Sequence, residues 1–352
     1  MSTFTKLSLN REVCDWTEHL KDLTPVEKHG GTWLKREDLF APLGDGGING
    51  SKLRGCILML KNRFEAGATR IYTGASVLSP QHSMTAAVSY HLGMDTVHII
   101  GATKAETAIR HVQIQMAGWF GAKFHIVPVG YNSVLQGTVE KFHAADSESS
   151  VMPYGISPQG DKEILEFHHL GGLQVANLPD VETLLIPAGS CNSLASILYG
   201  LQINNRPSSL KRIITVGIGP DRLKWVWERL KALGVNDGYR YHGPAPSALA
   251  KAPQSRNYLE IVHLDAQGEG FCSYQDRMPE SIGEVELHPT YEGKVRRYMM
   301  QKYPDVMDDR CCLWIVGGQA TAAAMLPAIG DELGNQPHKL PIQEMVNDLP
   351  VF

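Results

Sequence analysis

The sequence has no apolar run long enough to cross a bilayer; its longest apolar stretches are strand-sized. No membrane partner is therefore expected. The opening residues, from Met1 to Lys6, carry neither an apolar core nor a small-residue cleavage site, so no secretion signal is expected. Cysteine is sparse: six residues, at positions 14, 56, 191, 272, 311 and 312, with no CxxC spacing and no dense array. That pattern excludes a disulfide scaffold and suits reduced thiols in a cytoplasmic setting. Cys311 and Cys312 adjoin in a strand-like stretch, and should point to opposite faces as packing residues. A basic surplus is also missing. The 33 Lys and Arg against 37 Asp and Glu leave a net charge of −4, which argues against electrostatic nucleic-acid binding. Lys294, Arg296 and Arg297 form a local basic cluster, read as a solvated helix face. His168 and His169 lack a third ligand at useful spacing, so no metal site is expected. Internal repeats and low-complexity tracts are absent.

What the chain does have is an alternation of apolar, strand-like runs with helix-like stretches, which implies an α/β fold with parallel strands. Strands are expected at Arg70–Gly74, Val97–Gly101, Phe124–Pro128, Thr183–Pro187, Ile213–Ile218 and Leu313–Val316. Helices should follow at Ser83–Leu92, Lys104–Gly118, Ser193–Leu201 and Gln319–Ile329. Ligands of open α/β sheets collect beyond the carboxyl ends of the strands, where helix N-termini present unpaired N–H groups. Gly217-Ile218-Gly219-Pro220 reads as a strand-end turn, since a dinucleotide fingerprint would need a third glycine and an acidic partner. Two segments look irregular: the Gly-rich residues 41–51, and residues 234–282, which read as a lid or a surface loop.

Chemistry begins at Trp33-Leu34-Lys35-Arg36-Glu37-Asp38-Leu39, a strand ending in charges. The Gly-rich loop follows, and Ser51-Lys52-Leu53-Arg54-Gly55 opens a helix. A lysine at such a position lies near unpaired N–H groups, where its pKa can fall and its amine can act as a nucleophile. Taken alone, it is weak evidence, because most lysines are solvated surface charges. The whole arrangement resembles the fold-type II pyridoxal-phosphate (PLP) enzymes, the tryptophan synthase β-like superfamily, and within them the aminocyclopropane-carboxylate deaminase/D-cysteine desulfhydrase branch. The resemblance implies that Lys52 binds PLP as a Schiff base. Ser51 departs from the branch pattern G-G-N-K-x-R.

Four further segments carry the resemblance, in order along the chain. Thr73 to His82 is similar to the G-x-x-Q-S-N-H/Q turn, which implies a substrate or proton-transfer role for Ser79. Pro80 stands where the branch has a cofactor-binding asparagine and can make no such bond, so Gln81 is the candidate substitute. The local residues also read as a helix cap, with Ser79 at the cap and Pro80 in the first turn. Ile186 to Ala195 is a strand running into a small-residue turn and a helix, a geometry that holds phosphate. It resembles the cofactor-phosphate loop, which implies contacts from Gly189, Ser190, Cys191, Asn192 and Ser193, with Asn192 at a usual glycine. Leu287-His288-Pro289-Thr290-Tyr291-Glu292-Gly293-Lys294 resembles L-D-P-V-Y-E/T-G-K. Tyr291 is thereby implied near the reacting carbon and Glu292 at the pyridine nitrogen, where a carboxylate would strengthen the ring as an electron sink. Leu313 to Gln319 is similar to the closing H-T-G-G turn, with Val316 replacing the threonine.

The resemblance implies two three-layer α/β domains with mostly parallel sheets and the cofactor in the cleft between them. A smaller domain over residues 55–165 would be inserted into a larger one formed by residues 1–54 plus 166–352. A homodimer is usual in such enzymes. The leading expectation is a lyase or deaminase acting on an amino acid through an external aldimine. The alternative is decarboxylation or rearrangement of an amino acid attached to a larger carrier, such as the amino-acyl thymidine of phage DNA hypermodification. It is motivated by the departures at Ser51, Pro80 and Val316 and by the 234–282 segment. A PLP-binding protein without catalysis is the third reading.

Overall fold

Residues 16–43, 48–102, 108, 111–204, 206–235, 238–243 and 258–318 are described by the computed structural model. A four-residue helix, α1 (Trp16–His19), leads into the antiparallel pair β1 (Val26–His29) and β2 (Thr32–Arg36). After helix α2 (Ser51–Glu65), four strands build a fully parallel sheet in the order β5-β4-β3-β6. They are β3 (Arg70–Ala75), β4 (Asp95–Gly101), β5 (Lys123–Val127) and β6 (Ser149–Met152). Parallel strands are buried on both faces and so read as near-continuous apolar runs. β4 buries Val97, His98, Ile99 and Ile100 in succession. On one face α2, α3 (Gln81–Leu92) and α4 (Val112–Trp119) contribute Leu53, Ile57, Leu60, Met84, Val88 and Ile114 to the core. On the other, α5 (Asn132–Ala144) packs Leu135, Val139 and Phe142 against Tyr72, Val97 and Ile99.

The second sheet has seven strands, in the order β1-β2-β13-β7-β8-β10-β9, parallel except for the β1 edge. Its later members are β7 (Thr183–Ala188), β8 (Arg212–Gly217), β9 (Tyr239–His242), β10 (Leu259–Leu264) and β13 (Cys311–Ile315). Helices α7 (Asn192–Ile203) and α8 (Leu223–Ala232) cover one face. The hairpin β11 (Glu280–Ile282)–β12 (Val285–Leu287) and helix α9 (Glu292–Lys302) cover the other. Cys312 joins the first of these cores and Cys311 the second, as strand alternation requires. Helix α6 (Asp161–Leu173) touches both α2 and α7, and so joins the packing of the two sheets.

All six strands expected from the apolar runs form, each within two residues at either end. The 234–282 segment departs from expectation. It is not a structureless loop: it supplies β9 and β10 at the edge of the large sheet and the first strand of the hairpin. Leu259–Leu264 is buried throughout, but it is six residues long and set among Gly, Pro and Asp, so no period marks it. Residues 236–237 and 244–257 lie outside the described residues, as do 44–47 of the Gly-rich loop, 103–107 and 109–110 before α4, and Gln319 onward with the expected last helix. The basic cluster on α9 is a solvated face only at Arg297, which is exposed, and in part at Arg296. Lys294 is fully buried, and both Arg296 and Arg297 are paired with Glu280.

Candidate active site

Parallel pairing of β13 with both β2 and β7 brings the carboxyl ends of these strands to one side. Residues 316–318 thus lie beside the turn that leaves β7. The loop before α2 reaches the same place because neither backbone carries a Cβ. Gly50 has φ +109°, and a Cβ there would stand 2.7 Å from the Gly318 nitrogen; one on Gly318 would stand 2.1 Å from the Asn49 carbonyl oxygen. The Ser51 N–H and Oγ both donate to the Val316 carbonyl, at 3.2 Å each, and Oγ lies 3.4 Å from Ser193 Oγ. Ser51 therefore pins the first turn of α2, with Lys52 in it, against the end of β13 and the start of α7.

These ends line one narrow cleft, part of it open to solvent. Ser51, Lys52, Gly189, Ser190, Cys191 and Ser193 line one side; His288, Tyr291 and Val316 to Gly318 line another, with Pro80 and Met84 of the α3 turn. Burial pulls the Lys52 amine down to about 8, and among the described residues no hydrogen bond holds its Nζ. A pKa so close to neutral lets the amine both hold a proton and give it up near pH 7, and the free amine is a nucleophile and a base far more often than that of an ordinary surface lysine. Between β7 and α7, Cys191 takes the left-handed conformation at φ 62°, and Ser190 and Ser193 line the cleft on either side of it at the start of α7. Such a turn holds a phosphate.

Glu292 opens α9 and is completely buried. Its Oε1 accepts the N–H groups of Val316 and Gly317, at 2.7 and 3.0 Å, while its Oε2 is buried without a partner among the described residues. Burial pushes this carboxyl up to about 7 against the two backbone bonds that favour its charge. A Cβ on Gly317 would lie 2.8 Å from that Oε2, so the glycine keeps the carboxylate close behind the cleft wall. An orphaned carboxylate oxygen in such a place suits a ring N–H of a bound group, and with the amine of Lys52 and the turn at 189–193 the residues fit PLP. Beside it, the Tyr291 hydroxyl lies 3.2 Å from that of Tyr274, and burial holds its pKa well above 10. Lys294 anchors Tyr274 from behind, donating to the carbonyls of Ser273 (2.7 Å) and Tyr274 (2.9 Å).

Of the residues singled out in the sequence, Lys52, Gly189, Ser190, Cys191, Ser193 and Tyr291 line this one cleft, and Glu292 stands behind Gly317. Three do not join the lining. The Gln81 amide donates to Thr73 Oγ1 (2.7 Å) and the Pro153 carbonyl (3.2 Å) and accepts from the Gly155 N–H (2.7 Å). Asn192 donates to the carbonyls of Gly155 (3.1 Å) and Ile156 (3.4 Å). Both amides thus bond the turn after β6, where Ile156 holds a left-handed φ of 55°, while Asn192 Oδ1 is buried without a partner among the described residues. The Gln81 amide faces these partners rather than the cleft, and the left-handed backbone angle of the 189–193 turn belongs to Cys191. Ser79 Oγ accepts the Gln81 N–H at 3.3 Å, within the turn before α3. The charged strand end is structural too: Lys35 Nζ donates to the Thr24 carbonyl (2.8 Å) and Asn177 Oδ1 (2.7 Å), and Arg36 pairs with Glu27 and Asp38. Sequence reasoning missed His288 and Met84 as lining residues; only His288 had a signal, its place in the segment ending at Lys294.

Comparison with known proteins agrees with this geometry. No family model matches the chain. The O-seryl-dTMP PLP-dependent decarboxylase of Salmonella phage ViI is 35% identical over an aligned length of 395, covering 98% of this chain and 92% of that protein. Among solved structures, an ACC deaminase homologue superposes with a TM-score of 0.65 at 17% identity, over 88% of this chain and 95% of that one. The processed form of threonine deaminase isoform 2 from Solanum lycopersicum does so with a TM-score of 0.51 at 15% identity, over 88% of each chain. The two structures share the fold, and the phage relative shares sequence from end to end. With a cleft whose amine, phosphate turn and orphaned carboxylate suit the cofactor, the chain belongs to the fold-type II PLP-dependent enzymes.

Proposed function

We propose that this enzyme decarboxylates an amino acid carried on a nucleotide. The observation that carries the reading is the 35% identity, over nearly the whole of both chains, to a decarboxylase named for O-seryl-dTMP. The deaminase-like structures are distant in sequence and speak for the fold alone. Between the leading and alternative expectations from sequence, the support therefore lies with the carrier-linked substrate.

Lys52 would hold PLP through its amine, the 189–193 turn would take the phosphate, and Glu292 Oε2 would take the ring N–H. Bound there, PLP supplies an electron sink for the bond that breaks at the amine-bearing carbon. With its pKa drawn down to about 8, Lys52 Nζ can hold a proton at neutral pH and hand it to the carbon that has lost CO2. Tyr291 keeps its hydroxyl proton, and Tyr274 fixes the direction of that hydroxyl. The walls formed by Pro80, Met84 and Leu194 exclude water from one side.

Two measurements test the reading. Borohydride should fix the cofactor to Lys52, and Lys52→Ala should lose both the label and turnover. Oligonucleotides bearing O-seryl-dTMP should release one CO2 per seryl group. Keto acid and ammonia from free serine, with the oligonucleotide untouched, would overturn the proposal.

A further inference from the structure

His288 lines the cleft together with Lys52 and Tyr291, yet none of the roles above uses it. Its Nδ1 accepts the N–H of Thr290 at 3.2 Å, so in the neutral ring the hydrogen sits on Nε2. The ring is packed against its neighbours. It packs on the Tyr291 ring at 4.7 Å between centroids, and on the other side a Cβ at Gly317 would come within 2.7 Å of the His288 Cβ. A histidine packed in this way, with its tautomer set, has one thing to offer the cleft, a single N–H donor.

Two cations, Arg277 and Lys294, act on it, while the Glu292 carboxyl lies across Gly317. Met278 N–H donates to the Pro289 carbonyl at 2.8 Å, which ties the segment carrying Arg277 alongside His288. Arg277 is exposed and forms no ion pair among the described residues. Buried Lys294 lies within the same reach, and with burial and Arg277 it lowers the His288 pKa to about 4, so the ring is neutral at pH 7. A neutral donor flanked by two cations suits an anionic oxygen and has no acceptor for a cation.

We propose that His288 is a substrate-binding residue, whose Nε2–H donates to an anionic oxygen, carboxylate or phosphoryl, of the molecule held in the cleft. This deepens the proposed function and rests on its reading of the cleft as the place where a nucleotide-linked amino acid binds.

The test is calorimetric titration of the PLP-loaded enzyme with three ligands: L-serine, thymidine 5′-monophosphate and O-seryl-dTMP. Losing one hydrogen bond to a charged group should weaken binding by roughly ten- to a hundredfold. His288→Phe keeps a ring against Tyr291 but has no donor, and should show that loss. His288→Gln keeps a donor and should recover most of the affinity; His288→Asp should bind worse than the phenylalanine variant. Loss for serine and the conjugate, with thymidine monophosphate unchanged, assigns the carboxylate; loss for thymidine monophosphate and the conjugate assigns the phosphoryl group. If His288→Phe binds all three like the unaltered enzyme, with its cofactor absorbance intact, His288 only packs and the proposal is overturned. If the unaltered enzyme binds none of them, the reading of the cleft falls, and this proposal with it.

Discussion

The environment of Glu292 has a consequence that can be measured. A buried carboxyl with pKa about 7, against an ordinary 4.5, opposes folding once it ionises. Below about pH 4.5 both folded and unfolded chains are protonated and the group is neutral to stability. As pH rises from there to 7, the unfolded chain gives up its proton first, so folding stability falls, by about 3 kcal/mol in full at 1.36 kcal/mol per unit. Urea unfolding of cofactor-free protein should show this decline, and Glu292→Gln should remove it. Equal pH dependence in the two proteins would mean that the carboxyl finds a partner the geometry does not show. That Lys52, Tyr291 and Glu292 come together at one cleft was legible in the sequence, because the cleft is built from short contiguous segments at strand ends. Gln81 and Asn192 were misread for the opposite reason. Each bonds the 153–156 turn, some 74 and 37 residues away, and no local pattern announces so distant a partner.

Among the elements, α6 and α7 cross so closely that their glycines meet. A Cβ on Gly200 would lie 2.2 Å from the Gly172 carbonyl oxygen, and this obstacle is backbone and cannot rotate aside. Gly200→Ala should therefore cost about 3 kcal/mol, read as a lower denaturation midpoint. Gly137, within α5, is the counter-case. A Cβ there meets nothing within 4 Å, so Gly137→Ala should stabilise by about 1 kcal/mol through helix propensity. The same costs for both substitutions would show that the crossing relaxes. The strands of the two sheet centres could be read directly, since burial on both faces writes continuous apolar runs such as Thr183–Ala188. The edge strand β1 could not, because its residues Val-Glu-Lys-His are only half-buried and carry two charges. β9, with Tyr-Arg-Tyr-His, failed for the same cause.

On the scale of the whole molecule, the cleft exists only when distant parts are assembled: the start of α2, the turn after β7, the segment before α9 and the end of β13. A ligand that binds there binds the native state alone, and stabilises it by about 2.7 kcal/mol when present at 100 times its dissociation constant. PLP should thus raise the melting temperature by several degrees. The contribution of the 189–193 turn can be separated from the rest, because pyridoxal has the ring and the aldehyde but no phosphate. At equal concentration pyridoxal should give a clearly smaller rise. Ser190→Asp places a negative charge in the half-buried turn and should abolish most of the PLP shift through repulsion with the phosphate. It should leave the pyridoxal shift nearly unchanged, since Lys52 and Glu292 are untouched. A Ser190→Asp protein that lost both shifts equally would have lost the assembled cleft rather than the phosphate contact, and one that kept both would move the phosphate to another part of the cleft.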